Sequence, residues 1–344
     1  MKKPVRNLCI LLKPAIILIA VVFVSGLSAC PENDTYYYAG DSNPYHTLLL
    51  KSPTTGTAPY PAIVFIHGGN WGESAFQKSY FSNGIDYAVK NEFVGVSINY
   101  HLTSLDPLVT DHKPWPDQLN DAKNAVSWLR KNAAVFKVDP DRIYVIGHSA
   151  GGQIALMMAL TNSTMSNPYY KYDKISDVQA VCSVGAPNHL LSIYNKTSIS
   201  NPDDIFNALI DYDPIVNPTY ALCKDRGCQY MYEGRCINLT GYCENSINYE
   251  DLSNQGYTLA KASPLQNLMA LPKRPDGTKG HVPILMIYGK TDDTIPPDYN
   301  HKPFYNLLDN SSKSEAYYNC GHLFTGKWDI SGGIYDTAFQ FFGL

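Results

Sequence analysis

A chain of 344 residues that is 44% hydrophobic and 17% charged can bury a substantial core, which excludes a disordered protein. Its formal net charge of −4 supplies no basic excess, so no nucleic acid is expected as a partner. The 26 tyrosines, against 12 phenylalanines, hint at aromatic surface suited to sugars or aromatic ligands.

Met1-Lys2-Lys3 and Arg6 precede an apolar run over 15–24, interrupted upstream by Lys13 and Pro14. A short basic region before a short apolar stretch is the pattern of a secretory signal. The run falls short of the ~20 apolar residues that cross a bilayer. Leu27-Ser28-Ala29-Cys30 follows and resembles the lipobox of bacterial lipoproteins. That resemblance implies a removed signal over 1–29 and lipid on Cys30. It also implies a mature chain held to a membrane of the bacterial cell envelope, facing the periplasm or the cell exterior. Residues 30–45 are polar and tyrosine-rich and read as a tether.

From residue 46 the pattern changes. A short apolar run covers 46–51, and continuous apolar runs at 61–66 and 93–100 read as buried strands. Between them, about 74–90 can form a helix. Over 116–136, Leu119, Ala122, Val126, Leu129 and Ala133 recur at three- and four-residue steps, one face of an amphipathic helix. Asp139-Pro140-Asp141 turns the chain into a third buried strand over 142–146, followed by glycines and a buried helix over 153–160. Further strands are predicted over 178–184 and 283–288, and a last helix over about 333–342. Strands alternating with helices predict a mostly parallel sheet covered on both faces. Between 189 and 280 the regularity disappears, and a long irregular insertion in one domain reads as a cap over the carboxyl edge of the sheet. The core therefore spans 46–188 and 281–344.

Eight cysteines are present. Cys9 would leave with the signal, and Cys182, Cys223, Cys228, Cys236, Cys243 and Cys320 remain beside Cys30. The cluster over 223–243 lacks the paired C-x₂-C spacing of common zinc sites. Export favours disulfides, so at least one bridge is expected within that segment, with its connectivity open. No metal and no organic cofactor are expected.

Gly147-His148-Ser149-Ala150-Gly151 is a G-x-S-x-G pattern lying between a predicted strand and a predicted helix. A serine on so tight a turn needs neighbours without bulk, which Gly147 and Gly151 provide. The turn would lift the Ser149 hydroxyl clear of the sheet and aim the Ala150 N–H at the same space, where the helix N-terminus favours negative charge. His67-Gly68-Gly69-Asn70-Trp71 directly follows the strand ending at Ile66. The Gly69 and Asn70 N–H groups are the expected partners of Ala150 in an oxyanion hole, and His67 is read as holding the loop.

These segments, with Trp115-Pro116, Gln118, Asp121, Trp128-Leu129 and Asp139 to Ile143, resemble the carboxylesterase branch of the α/β-hydrolases. That branch takes in hormone-sensitive-lipase-like, feruloyl-esterase and arylformamidase-like enzymes. Asn70 departs from it, standing where many relatives carry a third glycine. The resemblance implies the order serine, acid, histidine. Asp292 in Gly289-Lys290-Thr291-Asp292-Asp293 occupies the acid position, with Asp293 as rival, and His322 closes the set. It implies cleavage of small-molecule carboxylic esters through an acyl-enzyme, with an amidase, arylformamidase-like or peptidase activity as alternatives. A non-catalytic binding protein on the same fold is the third reading. Asp121 is read as anchoring its helix. The natural substrate and the oligomeric state stay open.

Overall fold

The computed structural model describes residues 34–72, 77–104, 108, 110–167, 170–190 and 261–343, together with 205, 209, 230–232, 235–238 and 241–242. Among these, the strands in chain order are β1 (Asp34–Tyr37), β2 (Thr47–Lys51), β3 (Tyr60–Ile66), β4 (Val94–Ile98), β5 (Val138–His148) and β6 (Ala180–Val184). Then follow β7 (Tyr230–Tyr232), β8 (Arg235–Asn238), β9 (Gly241–Tyr242), β10 (Ile284–Gly289) and β11 (Lys313–Tyr318).

The side chains of β3 explain why an unbroken apolar run is a central strand. Successive strand residues point to opposite faces. Ala62, Val64 and Ile66 enter one apolar cluster, while Ile63 and Phe65 enter a second on the other side. Both faces are buried, as a parallel sheet covered by helices requires. The main sheet has eight strands in the order β1-β2-β4-β3-β5-β6-β10-β11. From β4 to β11 all pairings are parallel, and β2 and β1 close one edge antiparallel. The expected mostly parallel α/β sheet is the one observed. β7, β8 and β9 form a small antiparallel sheet of their own.

Helices α1 (Ser82–Lys90), α2 (Asp117–Lys131), α3 (Ala133–Phe136), α4 (Ala150–Leu160), α5 (Pro264–Ala270), α6 (Pro297–Leu307) and α7 (Ile334–Phe341) cover the sheet. The face of α2 read from its spacing, Leu119, Ala122, Val126 and Leu129, is buried in the first cluster beside Ile154 of α4. The helical pattern over 116–136 is broken at Asn132, and the left-handed Lys137 (φ 58°) ends α3. Every residue of α4 is buried, so this helix packs on both sides and carries no polar stripe.

The structure departs from the sequence pattern at four places. Residues 34–37, placed in the tether, form β1; Tyr36 is buried against Trp128 and Phe136. α5, placed in the insertion, belongs to the core: Leu265, Leu268 and Leu271 join the cluster that holds Ile154. β11 and α6 carry no clear periodicity, β11 because it is a half-exposed edge strand and α6 because Pro303 lies inside it. Cys182 and Cys320 are free thiols. The signal over 1–29, Cys30, most of the 189–280 insertion and the expected bridges over 223–243 lie outside the described residues, apart from the backbone at Cys236.

Candidate active site

The sharp turn at Ser149 joins β5 directly to α4, which begins at Ala150. Ser149 has φ 53° and ψ −122°, a conformation that costs a non-glycine residue energy and persists only when its surroundings impose it. The surroundings do so through two close approaches. A Cβ at Gly147 would stand 2.1 Å from the Gly151 carbonyl oxygen, and a Cβ at Gly151 would stand 2.1 Å from the Ile66 oxygen. Only glycine permits either. The turn is tied to the neighbouring strand by the Ser149 N–H, which donates to the Val184 carbonyl at 2.8 Å.

His322 lies on the loop after β11 and Asp292 on the loop after β10, so parallel strands bring both to the sheet edge where β5 ends. The Nδ1 of His322 is 2.8 Å from Asp292 Oδ2, and its Nε2 is 2.8 Å from Ser149 Oγ. A carboxylate accepts at Nδ1, so Nδ1 carries the proton and the Nε2 lone pair faces the hydroxyl. The other Asp292 oxygen accepts from the Ile295 N–H at 2.8 Å, which fixes the carboxylate plane. Asp292 is buried, whereas Asp293 is exposed and makes no hydrogen bond to His322.

The loop after β3 runs past Ser149, and a Cβ at Gly68 would come 2.9 Å from the serine Cβ. Gly69, Asn70 and Trp71 all turn with positive φ, at 105°, 50° and 61°. Trp71 anchors the loop: its buried indole N–H donates to Gln153 of α4 at 3.0 Å. Behind it, the Tyr100 hydroxyl donates to the His67 carbonyl at 2.9 Å and its ring stacks on the His67 imidazole at 4.3 Å. Burial pushes His67 down to about 4, so it is a neutral member of the loop's support. Ala150 opens α4, where the first N–H groups of a helix have no intrahelical acceptor.

Two groups near the site carry no sequence pattern of their own. His148 turns away from Ser149, and its Nε2 donates to the His322 carbonyl at 2.9 Å. The Trp328 indole donates to the next carbonyl, that of Leu323, at 3.3 Å. The adjacency of His148 to the serine was the one available signal; nothing marked Trp328.

Among the described residues, one His/Asp group could bring metal ligands together, with its ligand atoms within 4.8 Å of one another: His46, His101 and Asp121. Its hydrogen bonds are those of an ion pair. The His101 N–H and its Nδ1 both reach Asp121 Oδ2 at 2.8 Å, and its Nε2 accepts from the Asn43 side-chain amide at 3.2 Å, so the ring's lone pair is already engaged. His46 has a carboxylate oxygen at each ring nitrogen, Asp121 at 3.2 Å and Asp41 at 2.7 Å. The hydrogen bond to Asp121 raises its pKa most, against burial, and Asp41 adds to it. Burial pushes Asp121 up, but the two histidines outweigh this and hold it below the usual carboxylate range. Asp121 thus ties α2 to the segments bearing His46 and His101.

The chain is similar to proteins of known kind. It is 30% identical over 142 residues to kynurenine formamidase avaC of Aspergillus versicolor, covering 39% of this chain and 48% of that protein. It is 25% identical over 276 residues to esterase LipC of Mycobacterium tuberculosis, covering 78% and 54%. The chain thus spans about half the length of these curated relatives. Among solved structures, a truncated carbohydrate esterase from gut microbiota superposes with a TM-score of 0.61 at 21% identity, over 90% of this chain and 95% of that one. Esterase 2 of Thermogutta terrifontis gives 0.57 at 16% identity, over 90% of each. These likenesses establish the α/β-hydrolase fold. A family model described as BD-FAE matches residues 48–225, slightly more than half of the sequence, and the chain therefore belongs to the BD-FAE family.

Proposed function

We propose that the protein hydrolyses carboxylic esters, with Ser149 as nucleophile, His322 as general base and Asp292 as the acid that orients it. The observation that carries this reading is the unbroken hydrogen-bonded chain from Asp292 through His322 to Ser149, with 2.8 Å at each step. A serine hydroxyl attacks an acyl carbon only when a base takes its proton. His322 Nε2 accepts that proton as Ser149 Oγ bonds to the carbonyl carbon, and Asp292 stabilises the imidazolium. The carbonyl oxygen becomes an oxyanion that accepts from Ala150 and from Gly69 or Asn70. His322 then returns the proton to the leaving alcohol as the ester C–O bond breaks. Water, deprotonated by the same imidazole, releases the acid and restores Ser149. Each oxyanion donor is expected to contribute ~10²–10³ in turnover.

One relative is named a kynurenine formamidase, which favours an aryl formamide as a second substrate class for the same site. The lipobox-like Leu27 to Cys30 supports a chain exported to the bacterial envelope and anchored to its membrane through Cys30. The test compares purified wild type with Ser149→Ala on nitrophenyl esters of increasing acyl length and on an aryl formamide. Ester turnover by the wild type alone is expected. Turnover of the formamide alone would replace the ester reading with the second one, and equal rates from both proteins would overturn both.

A further inference from the structure

His148 is buried and has no part in the proton path above, yet its ring lies between the oxyanion loop and the loop that carries His322. Its own backbone precedes Ser149. A Cβ at Gly68 of the oxyanion loop would lie 3.4 Å from its Nδ1. Its Nε2 reaches the His322 carbonyl at 2.9 Å. Around it stand Tyr80, parallel at 5.8 Å, and Trp328 and Phe324, edge-on at 5.4 and 6.0 Å.

We infer that His148 is a positioning residue that holds the His322 backbone, and with it the imidazole, at hydrogen-bonding distance from Ser149. The inference rests on the esterase reading above for its consequence, and on this geometry for its structure. A backbone carbonyl can only accept, so the Nε2 of His148 must carry the proton. Its Nδ1 is then a bare acceptor, and the Tyr80 hydroxyl, 3.3 Å away, supplies the matching donor. The two partners select one tautomer. Burial, reinforced by the nearby His322, pushes His148 down to about 3, so the ring stays neutral and adds no positive charge beside the base. Phe324, two residues beyond His322, holds a left-handed φ of 51°, so the loop turns sharply just after the point where His148 grips it. The Trp328 bond to Leu323 secures the next carbonyl. A misplacement of the base by about 1 Å would cost on the order of 10²-fold in rate without altering substrate contacts.

Two substitutions separate the hydrogen bond from the packing. His148→Gln keeps an N–H donor near the place of Nε2 but discards the aromatic contacts; His148→Phe keeps the aromatic contacts but discards the donor. The expected result on a short nitrophenyl ester is a kcat ~10- to 100-fold lower for His148→Phe with KM within about twofold. His148→Gln recovers most of kcat. The reverse order, or a folded His148→Phe with wild-type kcat, would overturn the inference. The ¹⁵N shifts of the wild-type ring provide a readout independent of activity and of whether a variant folds. A protonated Nε2 with a bare Nδ1 at neutral pH is expected, whereas the opposite tautomer or an imidazolium would refute it. A wild type that holds this tautomer but cleaves no ester would sink the esterase reading and leave the His148 hydrogen bond to the His322 carbonyl intact.

Discussion

His322 and His46 are both partly buried imidazoles bonded to an aspartate, and they are built for opposite ends. His322 has a carboxylate on Nδ1 and a hydroxyl on Nε2. His46 has a carboxylate on both nitrogens. With acceptors on both sides, His46 takes its second proton more readily than an ordinary imidazole, and once protonated it has no lone pair to offer. With one acceptor and one hydroxyl, His322 keeps a lone pair aimed at Ser149. The difference lies in the second partner of the ring, which decides whether the same residue type acts as a base or as a brace.

The comparison can be broken at either histidine. On the proposed reading, His322→Ala should lower ester turnover by about 10⁶-fold, the scale seen when such a base is removed. Asp292→Asn should cost about 10⁴-fold, because an amide permits the wrong tautomer. Asp293→Asn, on an exposed carboxylate, should stay within about threefold, and steady-state kinetics on one ester would rank all three. A comparable loss in the Asp293 variant would move the acid by one residue.

At His46 the expected effect is on stability. Its folded pKa is raised above the ordinary 6.5, so its contribution is fully present below pH 6.5 and is lost as the pH rises through the folded value. Asp121, held low, remains ionised across this range. His46→Gln should therefore lower the Tm by a few degrees, about 2–5 °C, at pH 5.5, and by less at pH 9. Thermal melts at the two pH values would check this, and a gap that widens toward pH 9 would contradict the cationic brace. The smallest change is expected for Asp41→Asn, because that carboxylate is 48% exposed and a surface ion pair contributes about 0–1 kcal/mol.

Those two histidines also mark what was legible in the sequence. The turn at Ser149 was readable because its conformation leaves no choice at Gly147 and Gly151, so the constraint is written as residue identity. The central strands were readable because burial on both faces demands unbroken apolar runs. The loops bearing Asp292 and His322 came from family resemblance, since neither spacing nor composition alone relates positions that meet only across a folded sheet. Asp121 was legible as an anchor of its helix, but its partners were not, for the same reason: His46 and Asp121 are 75 residues apart and carry no shared motif. β1 was hidden in polar sequence because its buried Tyr36 packs on Trp128 and Phe136, partners supplied by a distant helix pair. The edge strand β11 mixes charged and aromatic residues and so lacks the alternation that marks a half-buried strand.

The central claim is that Ser149 is the activated nucleophile, and labelling with a fluorophosphonate, followed by mass mapping of the adduct, tests it most directly. The account predicts a single adduct on the peptide bearing Ser149, abolished in Ser149→Ala. A folded wild type that takes no label, or one labelled on another residue, would contradict it.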